Sequence, residues 1–375
     1  MSSLTDYDPS LRKNAVSSPP KLLPFDEIQT ILAKLLSTKE GVDAIMASQM
    51  EAFRLASASP SKCASLPIQT AGQMPYPPLS AGPGAQMCIK SGYAVDDSVV
   101  VSKCAAGGGN YSGNTGSVSV YDQQTLRLKA VLCDEGLLTE IRTAAAAVCA
   151  TRAAILASGK TVQKVGIIGG GVQAIWNLRL LAASKTIDPA QVTIVVKTSS
   201  KQSALSFIEK MKNSTYELDR QFTNMEVYDE TASRFKGCQI IHTLTPARSP
   251  VLDLSDVDIP KDGTNSFLHI SAIGSDSPGK CELSIDLLKQ AYICLVDSSS
   301  QTAERGEFQP VRWEDRSNVN FELIEIGSKG LICEESGMLK VKREEAGSHR
   351  NLFSVFDSSG MAIQDVQMAK MISQH

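Results

Sequence analysis

The sequence has no basic stripe and no acidic tail. Its formal net charge is −3, with acidic and basic residues interspersed, which points away from nucleic acid or a membrane surface as a partner. No apolar run approaches the length of a membrane span, and the N-terminus lacks the charged-then-apolar pattern of a secretory signal. A soluble, cytoplasmic protein is the expectation. Nine cysteines (63, 88, 104, 133, 149, 238, 281, 294 and 333) include no Cys-x-x-Cys pair. Their odd number and irregular spacing indicate neither a disulfide framework nor a zinc site, and they read as small core residues in a reducing compartment. Four histidines (242, 269, 349 and 375) form no metal-spaced cluster, so no bound metal is expected.

What is present centres on residues 164–181. The apolar run Lys164–Ile168 reads as a buried strand, three glycines follow, and an amphipathic helix resumes with Ile175, Leu178 and Leu181 on one face. The register Gly169-x-Gly171-x-x-Ala174 is a dinucleotide fingerprint in the strand–turn–helix context that makes it credible. Gly169 allows the tight turn, Gly171 lets backbone approach a pyrophosphate, and Ala174 lets the helix lie close to the strand. The N–H groups of Val172 and Gln173 at the helix start then face the phosphates. The bland alternative, a glycine turn with no ligand, leaves both flanking elements unexplained.

The chain's 375 residues suggest two domains. Residues 1–23 read as a loose arm. Two helical patterns follow from Pro24, and residues 56–86 form a long Ser/Pro/Gly/Ala loop. A strand at Ser98–Ser102, turns at Gly107–Asn110 and Ser112–Gly116, a strand at Ser117–Tyr121 and a returning run from Leu126 to Leu132 read as an antiparallel meander. An Ala-rich helix runs from Leu138 to about Ser158. Beyond it, apolar runs at 192–196, 239–243, 267–272 and 292–296 alternate with helical stretches. The fold class is α/β: a Rossmann-type doubly wound parallel sheet beside an α+β domain. Ligands on such sheets sit at the carboxyl ends of strands, occupied here by Thr198, Thr243, Gly274–Asp276 and Asp297. The last helix, from Gly360, is amphipathic.

Four stretches together resemble the ornithine cyclodeaminase and mu-crystallin family: Leu138-Thr-Glu-Ile-Arg-Thr-Ala-Ala145, Val165–Ala174, Ile273–Leu283 with its Asp276-Ser-Pro-Gly-Lys280-Cys-Glu-Leu283 core, and Ser358–Asp365. Order and spacing fit from about Pro24 to the end. The resemblance implies a homodimer with a substrate and dimerisation domain (24–158 with 350–375) and a nucleotide domain (159–349). It also implies the family's range of activities: ornithine and lysine cyclodeaminases, ketimine reductases, alanine dehydrogenase-like and opine-type dehydrogenases, and the ligand-binding mu-crystallin.

Arg142 can clamp a substrate carboxylate through two parallel hydrogen bonds; its bland alternative is a surface ion pair. Lys103 aligns with the family's substrate lysine. Asp276 is placed by the family pattern beside the nicotinamide, where a carboxylate exchanges a proton with the substrate nitrogen; alone it would be a turn-forming aspartate. Ser359 and Gly360 complete the nucleotide contacts. Two departures stand out. Gln69 occupies the place of an arginine that contacts the substrate carboxylate, a loss of about 1.5–3 kcal/mol, and Asp357 stands where the family commonly has lysine. Both weaken the case for ornithine as substrate. No acidic residue occurs between Val192 and Ser206, whereas Lys197 and Thr198 open a Lys-Thr-Ser-Ser-Lys run suited to a 2′-phosphate. NADP(H) is therefore expected ahead of NAD(H), and reduction of a cyclic ketimine or imino acid ahead of cyclodeamination with recycled NAD or nucleotide-dependent ligand binding without turnover.

Overall fold

The computed structural model describes residues 19–58, 63–65, 82, 86–108, 110–231, 235–260, 266–309, 323–332, 339–340 and 352–375. Strand β1 (Lys21–Leu23) precedes helices α1 (Phe25–Leu36) and α2 (Lys39–Ser57). Strands β2 (Cys63–Ser65), β3 (Gln86–Ala94), β4 (Val99–Gly108), β5 (Tyr111–Asp122) and β6 (Leu128–Leu132) then lead to α3 (Leu137–Ser158). They form a six-stranded sheet in the order β1-β6-β5-β4-β3-β2, antiparallel except for the β1–β6 pair. Alternation decides its faces: Val99, Val101, Val118 and Val120 are buried, whereas Met87 and Ile89 on β3 are exposed.

Residues 86–94, to which the sequence pattern assigns no element, are a strand paired with β4 from Gln86 to Tyr93. Ser112–Gly116 is not a turn but part of β5. Gly116 is small because the Cys104 carbonyl of the neighbouring strand lies where a Cβ would stand.

The second half contains β7 (Lys164–Ile168), α4 (Val172–Ala183), β8 (Thr193–Lys197), α5 (Lys201–Lys212), α6 (Glu217–Arg220), β9 (Asn224–Val227), β10 (Ile240–Thr243), β11 (Arg248–Leu252), β12 (Phe267–Ala272), β13 (Cys281–Leu283), α7 (Ile285–Leu288), β14 (Ile293–Val296), α8 (Ser299–Arg305), β15 (Leu323–Glu325), β16 (Leu352–Asp357) and α9 (Ala362–Ser373). Eight parallel strands are ordered β15-β14-β16-β12-β10-β7-β8-β9; β11 and β13 pair separately. The chain leaves β7 toward β8 on one side and returns as β10 on the other. That reversal opens the crevice at the carboxyl ends where doubly wound sheets bind ligands.

Strand β16 corrects the boundary expected at residue 350. Leu352–Asp357 inserts between β12 and β14, and every residue of it is buried, as a continuous apolar run in a parallel sheet requires. Only α9 crosses back, packing on α2, β3 and β4. Lys370 Nζ pairs with Asp97 at 2.7 Å in the β3–β4 turn.

Helix α3 lies at the centre, against α2, α4 and β12. It is long and apolar enough to cross a membrane by composition, yet Ala144–Ala147 are fully buried inside the protein, where small side chains permit close packing. Gly159 ends it at φ +62°. Behind α3, Asn177, His242, Thr151, Ser271, His269 and Ser354 form one buried polar chain with links of 2.8–3.2 Å. Cys88, Cys104, Cys133, Cys149, Cys238, Cys281 and Cys294 are unpaired thiols.

Candidate active site

A cavity of about 570 Å³ opens between the two sheets. Its floor is formed by Leu244, Thr245, Ile273, Gly274 and Ser358–Gly360, which follow β10, β12 and β16, and its far wall by β3, β4 and the start of α3.

That far wall is cationic. Lys103, only 3% exposed, donates from Nζ to Asp365 Oδ1 at 2.8 Å and to Thr139 Oγ1 at 3.1 Å. Arg142 Nε donates to the same Asp365 oxygen at 3.1 Å. Burial alone would raise the Asp365 pKa, but the attraction of Lys103, Arg142 and Lys90 outweighs it and holds the carboxyl below its ordinary value. Burial dominates at Lys103 and pulls its ammonium down to about 8, against the pull of Asp365. Gly360 makes room for the arginine: its φ is +81°, and a Cβ there would stand 2.9 Å from Arg142 Nη1.

Lys90 and Asp365 belong to this cluster, though neither was singled out in the sequence. Lys90 sits directly opposite Lys103 in the β3–β4 register, with Nζ 3.5 Å from the Gly360 carbonyl. Reading Asp96-Asp97-Ser98 as a hairpin turn would have found it. Asp365 ends the fourth family stretch, and its place near the start of α9 was visible without any partner to give it a role.

The nucleotide fingerprint takes the expected strand–turn–helix form. Gly169 has φ +112°, with the Leu244 carbonyl 2.8 Å from where a Cβ would lie. Gly171, the N-cap of α4, has open space at its Cβ position, and no side chain caps the helix. Uncapped N–H groups facing open space fit a pyrophosphate. Val172 is exposed there; Gln173 lines the cavity while its Nε2 donates to the Glu140 carbonyl at 3.2 Å.

At the end of β8, Lys197 donates to the Val251 carbonyl at 2.8 Å and lies 4.8 Å from the centre of the Tyr228 ring. Thr198 Oγ1 donates to the Ser200 carbonyl at 2.8 Å. Both side chains thus already have protein partners, but the lysine charge remains beside the start of α5. Thr243 is fully buried with its hydroxyl given to Glu282 at 2.7 Å; Leu244 and Thr245 are the residues there that face the cavity. Ser359 is buried and lines the cavity, its Oγ without a partner.

Asp276 lies at the rim, with its side chain 57% exposed and paired to Lys280 at 2.6 Å. Asp357 does not reach the cavity: it is buried, accepting from Thr302 Oγ1 and from the Glu307 N–H at 3.1 Å. Burial, then Glu307 and Asp297, push its carboxyl well above the ordinary value. Gln69 lies outside the described residues.

The cavity therefore combines a buried guanidinium and ammonium, an uncapped helix start and a carboxylate at the rim. The sequence pattern of the ornithine cyclodeaminase/mu-crystallin family matches residues 117–375. An alanine dehydrogenase of Archaeoglobus fulgidus is 30% identical over 242 residues, covering 64% of this chain and 65% of that one. An L-lysine cyclodeaminase of Streptomyces rapamycinicus is 29% identical over 254 residues, covering 67% and 62%. The match thus spans slightly less than two-thirds of those relatives' lengths. Among solved structures, the iminosuccinate reductase of Paracoccus denitrificans in complex with NAD+ superposes with a TM-score of 0.68 over 95% of each chain at 22% identity, a likeness of fold.

Proposed function

On the premise that the chain belongs to the ornithine cyclodeaminase/mu-crystallin family, we propose that it is an NAD(P)H-dependent oxidoreductase that reduces a cyclic ketimine or imino acid to an amino acid. The observation that carries this reading is the joint placement of Arg142 and Lys103 in one cavity wall, facing the strand ends beside the Gly169–Gly171 turn. A buried guanidinium and ammonium attract a carboxylate and hold its carbon skeleton in one orientation. In this reading Asp276, at the rim, would exchange a proton with the substrate nitrogen.

Gly169, Gly171 and the N–H groups of Val172 and Gln173 would hold the dinucleotide, with Ser359 and Gly360 across the cavity. A bound nicotinamide supplies the hydride. NADP(H) is preferred over NAD(H) in this reading, because no carboxylate follows β8 to accept from a ribose 2′-hydroxyl and Lys197 contributes positive charge there. Cyclodeamination is the second reading, favoured by the lysine cyclodeaminase relative. We further propose a cytoplasmic homodimer in which the exposed Met87 and Ile89 face of the first sheet is covered.

The test is incubation of the purified protein with NADPH or NADH and a panel of cyclic imines and 2-oxo acids with ammonia, following nicotinamide absorbance. Net oxidation of NADPH supports imine reduction. Ammonia release from a diamino acid without net nicotinamide change supports cyclodeamination.

A further inference from the structure

Lys90 is the cation that the one-carboxylate picture leaves over. Its partner in the β3–β4 ladder is Lys103, so the two side chains leave the same face of the sheet from directly opposed positions. Like charges so placed repel, and both line the cavity along with Arg142. Among the described residues one carboxylate, Asp365, is bonded to this group, and it serves Lys103 and Arg142 through a single oxygen.

The other carboxylates near the cations are committed elsewhere. Asp297 accepts from Ser358 Oγ at 2.9 Å and the Gly360 N–H at 2.7 Å. Asp134 accepts from the Leu138 N–H at 3.1 Å. Burial pushes both of their pKa values up. Asp276 is closed on Lys280. Among the described residues the wall thus presents three cations, and Asp365 is the one carboxylate hydrogen-bonded to any of them. Among the described residues Lys90 has one hydrogen-bond contact, the long 3.5 Å approach to the Gly360 carbonyl, for three ammonium donors. Burial, then the neighbouring Arg142, weaken its hold on its proton.

We propose that Lys90 binds a second carboxylate, so that the substrate is a dicarboxylic imino acid, with one carboxylate on Arg142 and Lys103 and the other on Lys90. This rests on the reductase reading above and names its substrate class. The step balances: the 2-oxo acid condenses with ammonia, losing water to give the C=N bond. The imine carbon takes the hydride of NAD(P)H, the nitrogen takes a proton, and the products are the dicarboxylic amino acid and NAD(P)+. One anionic group meets Arg142 and Lys103 and the other meets Lys90; a monocarboxylic substrate would leave the Lys90 ammonium with its single long contact among the described residues.

The test compares oxaloacetate with pyruvate, each with ammonium and NADPH, on wild type, Lys90→Met and Lys90→Arg. The two substrates differ by one carboxylate. Wild type is expected to favour oxaloacetate in kcat/KM by about 10-fold or more, the worth of a charge-assisted hydrogen bond. Lys90→Met should lose about 10- to 100-fold on oxaloacetate through KM, change about threefold or less on pyruvate, and Lys90→Arg should keep the preference. An equal loss on both substrates would place Lys90 on the shared carboxylate and overturn the proposal, as would a wild type indifferent to the second carboxylate. Calorimetry with succinate and propionate in the presence of NADP+ needs no turnover. Succinate binding that Lys90→Met weakens selectively upholds the second anion site even if no imine is reduced, in which case only the reductase reading fails. Equal binding of the two acids removes the site.

Discussion

Glu307 stands directly behind Glu282. Its Oε1 accepts the Glu282 backbone N–H at 2.8 Å and its Oε2 that of Leu283 at 3.0 Å. Glu282 in turn accepts from Thr243 Oγ1 at 2.7 Å, the Thr245 N–H at 2.6 Å, Thr245 Oγ1 at 2.7 Å and the Gly274 N–H at 2.8 Å. Two stacked buried carboxylates thus hold the ends of β10 and β12 where they become the cavity floor. Gly274 has no side chain because the Thr245 carbonyl and the Glu282 carboxylate occupy that space.

Burial and the neighbouring Glu282 raise the Glu307 pKa from its ordinary 4.5 to about 7. A carboxyl raised on folding binds its proton more tightly in the folded chain. Its stabilising contribution is complete below about 4.5 and is lost as the pH rises through about 7. Glu307→Gln, a fixed mimic of the neutral form, should therefore gain stability relative to wild type as the pH rises from 5 to 8. Differential scanning calorimetry at several pH values checks this, and a pH-independent difference between the two proteins would contradict it.

His242 and His269 act in the opposite sense. Burial lowers both from 6.5 to about 3, so each is neutral in the folded chain while the unfolded chain takes up a proton below 6.5. Their contribution is present above that value and lost as the pH falls toward 3. Each costs about 1.4 kcal/mol between pH 7.5 and 5.5. Urea unfolding of His269→Gln, whose amide can still bond Ser354 and Ser271, should show an acid slope smaller by that amount. A slope equal to that of wild type would show that His269 is protonated in the fold.

The glycine fingerprint was legible because its meaning is local: a strand, a turn at positive φ and a helix are consecutive in the chain. Arg142 and Lys103 were reached through motifs, and the structure brings them to one carboxylate. Lys90 was not found, because its significance comes from cross-strand register and β3 itself went unassigned. Residues 352–357 were grouped with the substrate domain for a related reason: only their pairing with β12 and β14 assigns them to the second sheet. Thr243 was read as a ligand contact from its strand-end position, but the partner that turns its hydroxyl away, Glu282, is 39 residues further along.

Gly169 and Gly171 should respond differently to substitution. Gly169→Ala forces a side chain onto φ +112° and against the Leu244 carbonyl, and should cost about 1–3 kcal/mol of stability. Gly171→Leu enters open space, so the melting temperature should hold while nucleotide binding is abolished. Thermal melts paired with NADPH fluorescence titration separate the two. Tight nucleotide binding by folded Gly171→Leu would remove the phosphate site from this turn.

If Lys103 binds the substrate carboxylate as proposed, it should set a pH limit on substrate capture. Burial brings its ammonium down to about 8, whereas Asp365 holds the proton on. Above that pH the lysine becomes neutral and the site loses a cation that faces the substrate carboxylate. KM should then rise while kcat, which depends on the bound complex, changes less. Lys103→Arg carries a guanidinium that does not titrate in this range, so its KM should stay flat through pH 9. Asp365→Asn removes the attraction that keeps Lys103 charged, so the rise in KM should begin at a lower pH. Breaking this buried ion pair costs about 3–5 kcal/mol, so its melting temperature should be recorded alongside the kinetics. Steady-state kinetics from pH 6 to 9.5 on the three proteins decides the matter. If Lys103→Arg shows the same alkaline rise as wild type, the titrating group is not Lys103, and its assignment to carboxylate binding falls with it.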